Sequence, residues 1–423
     1  AEDEKDETDA SLNVKYDTTD HKKDEITKDG VKYYLTAKAL KDGSKETGDV
    51  VEGTTEVTYV YEKAGQVVVN YQTEDGTPIV GVDAAGANVA SGAKDTVDGR
   101  PGSAYDTSDN GMKPNRITTA EGKVYELVPT ATKGAGETGT VEAGQTKEVT
   151  YVYKEVTGDV VVHYVDTEGN TIVADKDDLK GASLSEKYDT AVDNKPEKIT
   201  AEDGTVYYIT KAGLKDGSKP ETGNVVEGKT EVTYVYEKAG SVIVNYQTED
   251  GTPLTGTADG KDIASGAKDT DNGKPGSEYN TADNGMKPNR ITTAEGKVYE
   301  LVKDSTKGDE TGTVESGQTK EVTYVYKEVK GNVVVHYTDE AGNKIAEDAK
   351  DTTDGSISTP YDTSDNGMKP ERITTAEGKV YQLVPASTKG AENGKVTEGT
   401  TEVTYVYKEV TGDVVVHYVD TEG

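Results

Sequence analysis

The sequence predicts a mostly β, α+β-class chain, built as a tandem array of small domains rather than one large fold. Three observations predict it. The motif Gly-x-Val-x-Val-x-Tyr begins at Gly65, Gly158, Gly240, Gly331 and Gly412, with strides of 93, 82, 91 and 81 residues. A second motif, Glu-Val-Thr-Tyr-Val-Tyr, begins at Glu56, Glu148, Glu231, Glu321 and Glu402 and closes each unit. Both motifs alternate with period two in β-branched and aromatic residues, which is the pattern of a strand with one buried face.

The units set the expected domains. Residues 1–64 are the back part of a repeat, 65–157 a long repeat, 158–239 a short one, and 240–330 a second long one. Residues 331–411 form a short-stride hybrid, and 412–423 open a further repeat. Both ends cut through motifs seen whole elsewhere, so the chain is expected to be a fragment. Residues 111–127 and 285–301 are identical, and 367–383 differ from them only at Glu371 and Gln382. The hybrid therefore has a short stride but a long repeat's middle segment. That mosaic suggests duplication and recombination of repeats.

Each element follows from local chemistry, taken here in 158–239. Val160, Val162 and Tyr164 form the buried face of a first strand. Asp166 to Asn170 is turn chemistry, and Thr171-Ile172-Val173 returns as its hairpin partner. The Tyr–Asp/Asn–Thr tripeptide at Tyr188-Asp189-Thr190 recurs at Tyr16, Tyr105, Tyr279 (with Asn280) and Tyr361, and is expected beside a short helix or turn. Ile199-Thr200 leads through Asp203-Gly204 to Val206–Ile209, a second hairpin, and Glu231 to Tyr236 is the last strand. Four to five strands and at most a short helix make up each unit. Tyr is expected as the large core residue, because the chain has 27 Tyr and no Phe or Trp.

The joints hold four or five residues without a Gly/Ser tract, so they are not loose tethers. If first and last strands run along each domain, the repeats stack end to end as an elongated rod. Strands of ~10–12 residues give ~35–40 Å per repeat and a length on the order of 200 Å.

Composition excludes several classes. The 73 Val, Leu and Ile residues are too few for one large core, and taken alone would suggest disorder at a net charge of −33. The regular strand pattern outweighs that. No Cys is present, which removes disulfides and thiol chemistry. No apolar run is long enough to span a membrane, so no membrane insertion is expected. The net charge repels phosphate backbones, so no nucleic acid is expected as partner, and it favours a monomer. No P-loop, dinucleotide glycine pattern or nucleophile elbow occurs, so an enzyme is not expected, nor a cofactor.

Three features remain as candidate sites. His163, His336 and His417 share one strand position, filled by Asn70 and Asn245 in the long repeats. Without ligand spacing they read as solvated or joint-facing residues, not metal ligands. Asp106 to Gly111 matches the first half of a calcium loop, but position twelve is Ile117, which favours an Asx turn. The loop 111–116 holds an unusual pairing, because all three Met residues of the chain sit in its copies. Met112 with Arg116, Met286 with Arg290, and Met368 with Arg372 are the candidate ligand-binding residues, a soft apolar group beside a planar donor. The competing reading has Met capping the core and Arg offsetting local acidity.

These residues resemble the mucin-binding protein (MucBP) repeat family of Gram-positive surface adhesins. The family pattern is matched by Val333-Val335-Tyr337, Asp339-Gly342, Tyr361, Tyr381-Leu383 and Val403 to Tyr407. The near-identity of units is also similar to streptococcal high-identity tandem (SHIRT-type) repeats. The resemblance implies β-grasp-like domains, export, cell-wall anchoring, and adhesion to mucin or a host glycoprotein. The long repeats depart from it by a Gly/Ala/Asp-rich insertion at Gly81 to Pro101 and Gly256 to Pro275. The resulting expectation is a non-enzymatic stalk that projects a binding domain. The alternatives are repeats that themselves bind mucin or host glycans, and a cation-stiffened linker.

Overall fold

The structure is a computed structural model that describes residues 2–422. The chain divides into two compact units: Ala1–Val165, Gly169–Pro196 and Ala212–Val235 in one, and Asp166–Glu168, Glu197–Lys211 and Tyr236–Gly423 in the other. The division runs through the repeat at 158–239. Nearly all regular structure is strand. Among the described residues the exceptions are one α-turn, Thr190–Asp193, and the 3-10 turns Thr19–His21 and Pro385–Ser387.

In the first unit, strand Gly65–Thr73 lies parallel to Thr146–Glu155, from Gln66 beside Thr146 to Thr73 beside Tyr153. Its other side pairs antiparallel with Ala93–Gly99. Beyond Thr146–Glu155 come Val124–Leu127, Arg116–Thr118, Val80–Val82 and Asn88–Ala90. A separate two-stranded sheet joins Ala104–Asp106 to Thr138–Thr140. The next repeat opens with Thr157–Asp166, paired antiparallel with Thr171–Ser183, the hairpin expected from sequence.

The second unit repeats the plan. Gly240–Thr248 lies parallel to Thr319–Glu328, and Lys330–Asp339 lies parallel to Gly399–Glu409. The long repeats differ from the hybrid in one place. The hybrid follows its first strand with a continuous 13-residue partner, Lys344–Ser356. The long repeats instead fold the Gly/Ala/Asp-rich segment as an extra hairpin plus an edge strand, Ala93–Gly99 or Ala267–Gly273. Alternation along a strand identifies its faces but not its neighbours, so periodicity does not reveal this hairpin.

The core is made of tyrosine. Ten of the twelve largest fully buried side chains are Tyr, and the other two are Ile117 and Ile291. Tyr71 on the first strand meets Tyr151 and Tyr153 on the last, each at 6.4 Å between ring centroids. Every hydroxyl of this trio is bonded. Tyr151 shares a 2.8 Å bond with the fully buried Thr107 hydroxyl, and Tyr71 and Tyr153 donate to the carbonyls of Met112 and Pro114 at 2.9 and 2.7 Å. A buried hydroxyl without a partner would be costly, so the surrounding loop must supply acceptors. A further ring, Tyr105, lies flat on Gly139, where a Cβ would sit 2.8 Å from its hydroxyl oxygen. The same pairing recurs at Tyr16/Gly48, Tyr188/Gly223, Tyr279/Gly312 and Tyr361/Gly394.

The joints are shorter than the sequence suggests. One residue separates the last strand of a repeat from the first strand of the next: Ala64, Val156, Ala239 or Val329. Its N–H donates back into the preceding repeat, to Lys32, Val124, Val206 or Val298.

Burial gives the fold a defined alkaline limit. It pushes the Tyr71, Tyr164 and Tyr246 phenols up to about 12, against an ordinary value of 10.0. Their protons are held more tightly folded than unfolded. The stabilisation is therefore complete below pH 10 and is lost as pH rises towards 12. Tyrosinate absorbance and far-UV circular dichroism followed together should show these rings ionising as the sheet signal collapses. Full ionisation near pH 10 with the sheets intact would sink this account of the core.

Candidate functional site

The loop 111–116 is built from beneath. The strand Ala104–Asp106 ends in an Asx turn, where the Asp106 carboxylate accepts from the Ser108 N–H at 2.9 Å. That carboxylate, the first residue of the calcium-like stretch, lies below its ordinary pKa because Ser108 donates to it. Met112 N–H then closes a turn on Asp109 O at 3.0 Å. The two tyrosine hydroxyls hold the carbonyls of Met112 and Pro114 from inside. Lys113 bridges to Glu137 at 2.5 Å and lies over the Tyr151 ring at 5.4 Å. The strand Val124–Leu127 closes the loop through Leu127 N–H on Asn115 O at 2.9 Å.

Met and Arg of this loop do different things. Met112, Met286 and Met368 are half-buried and pack against the tyrosine cores of their repeats. Arg116 instead points along the repeat end. Its guanidinium donates to both carboxylate oxygens of Glu227, each at 3.1 Å, and lies 3.5 Å from Glu126. Arg290 repeats the fork on Glu398 at 2.9 and 3.0 Å. Arg372 donates to Gln382 at 2.7 Å. Glu227 and Glu398 lie 111 and 108 residues beyond their arginines, each in the following repeat. Nothing in the local sequence signals that partner.

A second kind of joint lies between these. Tyr34 donates to Asp98 O at 2.8 Å, and Arg100 lies 4.8 Å from the Tyr34 ring centroid. Tyr208 donates to Asn272 O at 3.1 Å, with Lys274 bonded to Glu197 at 2.7 Å beside it. In both, a glycine N–H of the later repeat reaches back to the earlier one: Gly144 to Lys63 O and Gly317 to Lys238 O, each at 3.0 Å. Three of the chain's four arginines, Arg100, Arg116 and Arg290, thus contact a neighbouring repeat.

The histidines acquire neighbours that sequence order hides. His163 Nδ1 lies 2.8 Å from Asp175 on the second strand, and Nε2 lies 3.8 Å from Glu231 on the last. His336 repeats this with Asp348 at 3.1 Å and Glu402 at 4.0 Å. The equivalent Asn70 and Asn245 donate to Glu148 and Glu321 at 3.5 and 3.3 Å. His417 lies in an exposed stretch. Elsewhere, Asp6, Asp20 and His21 bring three ligand atoms within 4.8 Å. The His21 ring is also bonded to Glu4 at 2.7 Å, which raises its pKa, so this group has the character of a surface ion-pair network. Two shallow depressions lie over the Tyr279/Gly312 and Tyr361/Gly394 pairs, the first bordered by Glu278 and Asp283 and the second by Asp362 and Asp365.

A family model described as the MucBP domain matches residues 2–62, 66–154, 159–237, 241–327 and 332–408. The chain is 42% identical over 287 residues to the muramidase-released protein of Streptococcus suis, covering 62% of this chain and 22% of that protein. It is 28% identical over 278 residues to internalin J of Listeria monocytogenes, covering 63% of this chain and 26% of that one. The chain therefore spans about a quarter of the length of these curated relatives. Among solved structures, streptococcal high identity repeat (SHIRT) domains 3-4 from a cell surface protein align at 11% identity with a TM-score of 0.19, covering 40% of this chain and 98% of that one. Mub-RV aligns at 16% identity with a TM-score of 0.14, covering 41% and 100%.

The forks make the joints acid-sensitive. Hydrogen bonding and charge from Arg290 hold Glu398 below its ordinary value of 4.5, and Lys274 does the same for Glu197. Depressed carboxylates stabilise fully above pH 4.5 and lose that contribution as pH falls below it. Spin labels placed on either side of the Arg290–Glu398 joint should show a distance distribution that broadens in this range, and also broadens in high salt. Arg290→Gln should remove the acid response at that joint. A distribution unchanged by acid, salt and the substitution would show that the fork contributes nothing there.

Proposed function

The chain belongs to the MucBP domain family, and from that premise we propose that it is the repeat region of a bacterial surface adhesin, an extended, non-enzymatic stalk. It projects a binding domain from the wall of a Gram-positive cell, with the repeats of 65–157, 158–239, 240–330 and 331–411 as its domains. The observation that carries the reading is the parallel pairing of first and last strands. In that arrangement the chain enters a repeat beside the start of its last strand and leaves from the far end of the same pair. Within each of the repeats 65–157, 240–330 and 331–411 the entry and the exit therefore lie at opposite ends of one strand pair. The single-residue joints, with their N–H groups bonded backwards, suit a spacer better than a loose tether would. A net charge of −33 keeps neighbouring chains apart, consistent with a monomer.

The surface suits a spacer. Among the described residues of 65–409, the exposed large hydrophobic side chains are Val80, Val97, Val192 and Val226, with no aromatic among them. The second reading, that the repeats bind mucin or a host glycoprotein, is supported by the family to which they belong.

Binding of the full chain to immobilised mucin at near-physiological salt, before and after enzymatic glycan removal, separates the two. The stalk reading expects no saturable binding in either case. Saturable binding that disappears with the glycans would make the repeats themselves adhesive. The exposed arginine forks and half-buried Met positions would then be the first residues to substitute.

A further inference from the structure

The four joints between successive repeats are of two kinds, and the kinds alternate. After 65–157 and after 240–330, an arginine forks onto a glutamate of the next repeat. At those joints the turn glycines Gly122 and Gly296 press on Ser185 and Ser358, where an added Cβ would lie 2.9 Å from the serine side chain. Ser183 also donates to Glu155. After 1–64 and after 158–239, a tyrosine instead donates to a backbone carbonyl of the next repeat's edge strand, and Gly144 or Gly317 bonds back.

Sequence follows the same division. Last strands that run into Lys-Glu-Val, at 154–156, 327–329 and 408–410, precede openings Val-Val-Val-His-Tyr at 160–164, 333–337 and 414–418. Those that run into Glu-Lys-Ala, at 62–64 and 237–239, precede the long repeats, whose openings end Asn-Tyr at 70–71 and 245–246.

We propose that the end face of each repeat selects the class of repeat that can follow it. An arginine face accepts a repeat carrying Glu at the position of Glu227 or Glu398. A tyrosine face accepts a repeat carrying the inserted edge strand. The chemistry of a mismatch shows why. At the turn where short repeats place Glu227 or Glu398, long repeats have Ala143-Gly144 or Ser316-Gly317. Their neighbouring Glu142 and Glu315 are already held by Lys147 and Lys320, each at 2.8 Å. An arginine face before a long repeat thus loses its acceptor. A tyrosine face before a short repeat loses Arg100 or Lys274, because Ser183 or Ser356 stands there.

The hybrid at 331–411 obeys both rules at once. It follows the arginine face of 240–330 and supplies Glu398. Its own end carries Arg372 and Lys408-Glu409-Val410, and the residues that follow, 411–423, repeat 157–169 residue for residue. Its front matches the face behind it, and its back matches the opening ahead. Which repeats can join does not depend on what they bind, so the rule holds whichever way the mucin experiment falls.

Two tests decide it. In the full chain, Glu227→Arg should speed amide exchange around Gly122 and Ser185 by about two- to fivefold, the range of a partly exposed ion pair. Adding Arg116→Glu should restore the original rate, and failure to restore it overturns the role of the fork. In a second pair, removing 158–330 joins an arginine face to the short-type opening at 331, whereas removing 158–239 joins it to the long repeat at 240. Slow exchange at the new joint of the first chain and fast exchange at that of the second are expected. Equal protection at both joints overturns selection by the end face. Should either deletion lose its sheet signal in circular dichroism, the charge-exchange pair alone decides between selection and its absence.

Discussion

The parallel pairing of first strand with last in the repeats 65–157, 240–330 and 331–411 is the constraint from which the other features follow. It brings together residues 68–80 apart, such as Gln66 with Thr146 and Gly331 with Gly399. Loop closure on that scale is entropically costly and must be offset by what the pairing buries. The first strand supplies alternating Val67, Val69 and Tyr71, and the last supplies Val149, Tyr151 and Tyr153, all buried. The same pairing fixes where the chain enters and leaves. A parallel neighbour carries the exit to the end opposite the start, whereas an antiparallel one would have brought the two together.

A core so thin explains the choice of tyrosine over phenylalanine. The rings fill the space between a sheet and one loop, and their far ends reach the loop backbone. A phenyl ring would bury as much carbon but leave the carbonyls of Met112 and Pro114, and the hydroxyl of Thr107, without their donors. The identity of residues 111–127 with 285–301 then has a structural basis. Met fills the gap at the core edge, Lys113 neutralises Glu137 above a ring, and the arginine stands at the repeat end. One segment serves the interior of its own repeat and the surface of the next.

Much of this was legible from residues. Period-two alternation located the strands, turn chemistry located the hairpin after Val165, and the absence of Phe identified Tyr as core. The Tyr–Asp–Thr tripeptide does sit beside a turn, and at Asp189 it caps the α-turn Thr190–Asp193. What escaped were contacts between distant parts of the chain. Asp175 and Glu231 flank His163 from neighbouring strands, and alternation gives a residue's face without naming who stands beside it. The partner of Arg116 lies 111 residues on, in a separate repeat. Composition misled for a related reason. A low aliphatic fraction signals disorder only when the apolar residues are scattered, and here they are concentrated on the facing sides of two strands.

The distribution of the cations supports the same view of the joints. Of 47 basic residues, four are Arg, and three of them, Arg100, Arg116 and Arg290, contact a neighbouring repeat. Lysine is a flexible point charge, suited to the scattered single contacts it makes with carboxylates along this acidic surface. A joint asks for more. It must hold an orientation between two bodies, and a planar guanidinium meeting both oxygens of one carboxylate resists rotation where an ammonium would not. Net charge would be served equally by either residue. At the two arginine joints the choice of Arg over Lys is therefore one of geometry, whereas at a tyrosine joint, where the tyrosine hydroxyl already bonds the next repeat's backbone, Lys274 serves with a single contact to Glu197.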